Sequence, residues 1–158
     1  MESLIESRAR LVTYVLDDPL TLPRGILDDI LSRVKLAMPY EICGYFAGVG
    51  RSIYRAFPIP NVAANPGDSF CMEPMAQLNA LITVDKYDWH MIAVYHSHPP
   101  GKRCYPSLRD IEGQPDPSCM HVIFAPTANG KIINLGAFAV RKNNQIAIPI
   151  NVVESPVY

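Results

Sequence analysis

The run "AVYHSHPPGKRCYPSLRD", residues 93–110, begins as a strand and ends as a helix. It continues the apolar stretch "HMIAVY", whose unbroken apolar middle predicts a strand buried on both faces. Residues i and i+2 of a strand share a face, so His96 and His98 project together, with Cα atoms roughly 6.5–7 Å apart. "PPGKRCYP" then carries the chain across the strand end. A short helix opens at Ser107, and Asp110, one turn in, can swing its carboxylate back toward the histidines. Two neutral imidazoles and a carboxylate form a three-ligand set with an open fourth position, the pattern of catalytic rather than structural zinc. A metal in such a site lowers the pKa of water toward about 7, and the chemistry then needs a base.

The same residues admit other readings. "SLRD" fits a capping pattern, with Ser107 at the N-cap and an acid in the first turn. Amidohydrolases also use His-x-His on a strand, but they need a barrel of about 250 residues, and this chain has 158. Non-haem iron oxygenases combine two histidines with a carboxylate, but their usual carboxylate position is occupied here by His98. The helical zinc-protease motif HExxH is absent. On the residues alone, metal ligation and helix capping both remain open.

Upstream, "LPRGILDDILSRVKLAMPYE" has Ile26, Leu27, Ile30, Leu31, Val34 and Ala37 at helical period, which predicts a helix over 23–37, closed by Pro39. "EICGYFAGVG" and "RSIYRAFPIPNV" read as two strands around a turn at 48–51. "PMAQLNALITVDKYD" carries Met75, Leu78, Leu81 and Ile82 at helical spacing. Downstream, "CMHVIFAP", "KIINLGAFAV" and "QIAIPINVV" read as three strands, the second reached through the turn signal "TANGK". The tally is about six strands and three or four helices. The fold class expected is α/β, a sandwich around a curved, mixed sheet flanked by helices. Residues 1–19 form a separate extension, helical over 4–16, and residues 20–158 a single domain.

Bulk composition narrows the function classes. Half the residues are apolar, net charge is −1, and no basic stripe or polybasic run invites nucleic acid or an anionic membrane. No stretch approaches the roughly 18–20 apolar residues of a membrane span, and the N-terminus lacks a secretory pattern. The four cysteines show no CxxC pairing, so a reduced, cytoplasmic setting is expected.

Taken together, the motifs resemble the JAMM, or MPN-plus, metalloproteases, whose pattern is a distant glutamate, then HxHP, a loop and S-x-x-D. Glu41 in "MPYEICGYFAGV" is similar to the family's P-x-E-x-C-G entry, "VYHSHP" matches at 94–99 and "PSLRD" at 106–110. The opening helix and "PNVAANPGDSFCMEP" resemble the prokaryotic branch, and the likeness covers roughly residues 20–140. One departure stands out: the family usually has seven residues between the second histidine and the serine, and this chain has eight, Pro99–Pro106.

The resemblance implies a cytidine-deaminase-like MPN sandwich holding one Zn2+ per chain on His96, His98 and Asp110. It implies that Glu41 is the general base taking a proton from zinc-bound water, and that Ser107 donates a hydrogen bond to the oxyanion. The substrate implied is the amide bond at the Gly-Gly-type tail of a ubiquitin-like or sulfur-carrier protein, cut by a monomer or homodimer. Other expectations are a non-catalytic module that holds such a tail, or a hydrolase of a small amide conjugate. His90, His121 and Cys43 read as ordinary structural residues. Cys104, inside the loop that spans the site, is a candidate to occupy the open metal position through its thiolate.

Overall fold

A computed structural model of the chain describes residues 18–113, 116, 118–141 and 144–154. The helix expected at 4–16 lies outside the described residues. The elements in order are β1 (Leu20–Pro23), α1 (Arg24–Ala37), β2 (Cys43–Val49), β3 (Ser52–Ile59), α2 (Pro74–Lys86), β4 (His90–Ser97), α3 (Leu108–Glu112), β5 (Met120–Pro126), β6 (Ile133–Arg141), β7 (Asn144–Ile148) and β8 (Ile150–Val153). The expected mixed, curved α/β sheet is present, with eight strands in the order β7-β6-β5-β4-β2-β3-β1-β8.

Two strands beyond the six expected account for the curvature. "LTLP" is a strand, and "QIAIPINVV" breaks at Pro149 into β7 and β8. These consecutive strands lie at opposite edges of the sheet, β7 on β6 and β8 parallel to β1. Proline lacks an N–H for a ladder, so it suits the break; its carbonyl accepts the Leu20 N–H at 2.8 Å. The sheet therefore curls until its two edges are joined by one residue, nearly a barrel.

Strand β4 is central, antiparallel to β2 and parallel to β5. Its side chains alternate between two cores. Tyr95 points to the larger core with Leu27, Ile30 and Val34 of α1, and stacks on Phe46 at 4.5 Å. Val94 points to the smaller core under Ala80 and Val84 of α2. His96 and His98 continue the Val94 face. The glycine of the P-x-E-x-C-G motif has a packing reason: a Cβ on Gly44 would lie 2.3 Å from the Tyr95 hydroxyl and 2.4 Å from the Phe57 carbonyl.

Helix α2 forms as expected, started by Pro74 and by Glu73, whose carboxylate accepts the Met75 and Ala76 N–H groups. The stripe that identified it, however, is not its buried side. Met75, Leu78, Leu81 and Ile82 are exposed, while Ala80 and Val84 meet the sheet.

Candidate metal centre

The strand end and the start of α3 meet as the spacing predicted. His96 Nε2 and His98 Nε2 lie 3.0 Å apart, and Asp110 Oδ2 stands 3.1 Å from the first and 3.3 Å from the second. Both histidines are buried. His98 Nδ1 lies 2.7 Å from the Arg103 carbonyl. Nδ1 therefore carries the proton and leaves a lone pair on Nε2. Three electron-rich atoms crowded this closely call for a cation among them. In a tetrahedron with metal–ligand bonds of about 2.0–2.1 Å the ligands are about 3.3–3.4 Å apart, close to the separations present. His96, His98 and Asp110 therefore fit a small divalent metal ion, and they are the His/Cys/Asp/Glu group that can hold one among the described residues.

Capping and ligation turn out to be compatible. Ser107 Oγ accepts the Asp110 N–H at 3.2 Å, and the Ser107 N–H donates to Asp110 Oδ2 at 2.8 Å, a complete capping box. The oxygen that caps is the one that faces the imidazoles. Burial alone would raise the Asp110 carboxyl, but hydrogen bonds to His96, His98 and the Ser107 N–H outweigh it and hold the group well below the usual carboxylate range. Burial lowers the His96 imidazole, favouring its neutral, ligating form. The eight-residue loop does not spoil the aim. It is pinned by Gly101 N–H to the Pro126 carbonyl at 3.0 Å and by Gln145 Nε2 to the Pro106 carbonyl at 3.0 Å.

Glu41 precedes β2, which pairs with β4 at Cys43 and His96. The residue is 3% exposed, and its Oε2 has no hydrogen-bond partner among the described residues. Burial pushes its carboxyl up from 4.5 to about 7; His98 and Lys102 pull it down, while Asp110 and Asp68 push it further up. A buried carboxylate poised near neutrality and electrically coupled to both His98 and Asp110 suits proton transfer at this site.

The family described as prokaryotic homologs of the JAB domain matches residues 23–138, most of the chain. The chain belongs to this family. Within and around it, the chain is 37% identical over 93 residues to a probable TtuB-protein conjugate cleaving protease of Thermus thermophilus, covering 59% of this chain and 62% of that protein. It is 30% identical over 113 residues to a desampylase of Haloferax volcanii, covering 68% and 81%. A solution structure from Desulfitobacterium hafniense is similar with a TM-score of 0.72 at 27% identity, covering 87% of this chain and 94% of that one. A JAB1/MPN domain protein of Archaeoglobus fulgidus shares the fold with a TM-score of 0.55 at 21% identity, covering 85% and 99%.

The JAB-family chain also shows supporting residues that pattern reading passed over. Ser97, between the histidines, accepts the Ile42 N–H on Oγ at 2.9 Å and donates its own N–H to the Ile42 carbonyl at 3.0 Å, which fixes the residue after Glu41. Asn61 uses its whole amide: Nδ2 donates to the Glu41 and Ser69 carbonyls, and Oδ1 accepts the Ala63 and Cys71 N–H groups. That holds the 61–72 segment so that Phe70 stacks on His96 at 4.6 Å. The signal in the sequence was the likeness of "PNVAANPGDSFCMEP" to the prokaryotic branch, which marked the segment but gave Asn61 and Phe70 no role. Two further residues named from the sequence have definite places in the structure. Cys104 Sγ donates to the Ile123 carbonyl at 3.6 Å, its pKa raised by burial, so it stands outside the metal group. His121 is buried on the face of β5, and burial lowers its pKa.

Beside the triad lies a cavity of about 480 Å3, walled by apolar groups including Phe70, Met72, Leu81 and Val94, and touching Asp110. Among the described residues, no helix is long and apolar enough to cross a membrane.

Proposed function

We propose that this chain is a zinc-dependent peptidase or isopeptidase that hydrolyses the amide bond at the C-terminal, Gly-Gly-type tail of a ubiquitin-like or sulfur-carrier protein. The observation that carries the reading is the convergence of His96, His98 and Asp110 next to a buried carboxyl, Glu41, whose pKa is near 7. Nitrogen and oxygen donors at tetrahedral spacing favour zinc over the harder cations. The relatives' names, a cleaver of protein conjugates and a desampylase, support the substrate class. We place the reaction in the cytoplasm, in residues 20–158.

A zinc ion held there supplies Lewis acidity, making water acidic near neutral pH and polarising a carbonyl. The chain's own residues do the rest. Glu41 Oε2 accepts the proton of the attacking water and returns it to the leaving nitrogen as the C–N bond breaks and a C–O bond forms. Ser107 Oγ, already accepting the Asp110 N–H, keeps its own proton to donate to the carbonyl oxygen as charge develops there, an interaction worth about 2.7–4 kcal/mol in comparable sites. Phe70 covers His96 and keeps bulk water from that side. The apolar cavity receives substrate flanking the scissile bond.

The test is Glu41→Gln. The variant should keep zinc, measured by elemental analysis, and bind a tailed ubiquitin-like fusion, while turnover by mass spectrometry falls about 10²–10⁴-fold. Equal turnover in the variant refutes the role of Glu41. Binding without cleavage by the zinc-loaded wild type would make the protein a tail-holding module, and cleavage of short amides alone would make it a small-conjugate hydrolase.

A further inference from the structure

The loop with the extra residue, Pro99–Pro106, also walls a second cavity. It measures about 370 Å3 and is lined by His98, Gly101, Lys102, Arg103, Tyr105 and Ser107. It shares no lining residue with the apolar cavity on Asp110. It shares His98 with the triad.

Its charge is one-sided, although most of the wall is apolar. Lys102 and Arg103 bring two cations, and among the described residues no carboxylate lines the cavity. Tyr105 Oη accepts from the Arg103 guanidinium and so retains its own proton to give, while the Ser107 proton is kept for the carbonyl oxygen. Cations and donors with no competing acid suit an anion, and guanidinium with ammonium suits a carboxylate. The cationic pair is held in place from below. Gly101 turns the chain at φ +87, and the Lys102 N–H bonds the Pro99 carbonyl at 3.2 Å. The Arg103 carbonyl is held by His98 Nδ1.

We propose that this cavity is a carboxylate subsite for the leaving, amine-bearing side of the scissile amide. The inference rests on the peptidase reading above. The apolar cavity touches the triad at Asp110 and this one touches it at His98, with no lining residue in common; with the tail side of the substrate in the first, the second falls to the amine side. Two sources supply the chemistry: the terminal carboxylate of a leaving residue, or an acidic side chain beside an acceptor lysine.

Binding to the full-length, metal-free protein tests the subsite without any ion to capture the carboxylate. One arm compares N-acetyl-Gly-Gly-Ser as free acid and as C-terminal amide by calorimetry. The other compares N-acetyl-Gly-Gly on the ε-amine of a lysine flanked by Glu or by Gln, in amidated peptides. The carboxylate form should bind about tenfold tighter in one arm, as a charge-assisted contact implies, and the arm that responds names the source. The preference should vanish in K102Q/R103Q, whose changes are at exposed side chains. Equal binding of charged and neutral forms in both arms overturns the inference, as does a preference that survives in the double variant. Cleavage assays on zinc-loaded protein separate the two readings. Cleavage without carboxylate preference removes the subsite alone, and a preference without cleavage of any amide removes the peptidase reading.

Discussion

Asp110 Oδ2 accepts the Ser107 N–H while standing 3.1 and 3.3 Å from two imidazole nitrogens. Helix capping and metal ligation, alternatives in the sequence, are compatible in one arrangement because a carboxylate oxygen has lone pairs for both. Glu41 is the opposite case, a carboxyl with an oxygen that nothing among the described residues satisfies. Its pKa is raised in the folded state, so folding is favoured where the group is protonated and loses that advantage as pH rises through about 7. Metal-free wild type should therefore lose about 1–2 kcal/mol relative to Glu41→Gln between pH 5 and pH 8, a figure discounted for solvent screening. Urea titrations of both proteins at the two pH values check it, and parallel behaviour of the pair would contradict the burial argument. Ser97→Ala should cost about 1–3 kcal/mol by stranding the Ile42 N–H, with zinc content unchanged and turnover reduced because Glu41 loses its anchor. The histidines, Ser107, Asp110 and Glu41 were legible because each belongs to a spaced motif. Ser97, Asn61 and Phe70 were not, because no local period marks them and the contacts that bear on the site, to Ile42, the Glu41 carbonyl and His96 respectively, reach other elements.

At the scale of elements, helix α2 separates period from burial. Its apolar residues recur at helical spacing and so predict the helix, but spacing does not say which side meets a sheet. Small residues, Ala80 and Val84, are the ones that let the helix approach β2 and β4, and the larger Met75, Leu78 and Ile82 stay outside. Leu78→Lys should therefore change stability by no more than about 0.5 kcal/mol, whereas Val84→Ala should cost about 1–3 kcal/mol. Thermal denaturation of the two variants decides the point, and the reverse order would mean that the stripe is buried. The strand β4 was readable because both its faces are covered, which leaves an unbroken apolar run. The short strands β1 and β8 escaped notice because four residues carry too little pattern, and each owes its form to the other.

For the molecule as a whole, pairing of β1 with β8 joins residues near the two ends of the domain, Leu20 with Ile150 through Pro23 with Val153. The candidate metal site spans a much shorter stretch, 14 positions from His96 at the end of a central strand to Asp110 on a loop-borne helix. A cation bound there cross-links folded structure and binds the unfolded chain weakly. Adding zinc at about 100 times its dissociation constant should therefore stabilise the protein by about 2.7 kcal/mol, raising Tm by roughly 5–10 °C. His96→Ala should abolish the shift in differential scanning fluorimetry. An unshifted wild type would mean that the three groups do not share an ion.

The sequence by itself determined the α/β class, the two histidines on one strand face, the helix that starts at Ser107 and membership in a recognisable motif pattern. These follow from strand and helix periods, which act over a few residues. Only the tertiary structure decided the near-closure of the sheet, the exposed stripe of α2, the Asn61–Phe70 support behind His96 and the cationic cavity beside it. The first three depend on groups far apart in the chain meeting in space, and the cavity on the path one loop takes over the strand end; the free energy of such arrangements is written in packing and pairing rather than in any local spacing.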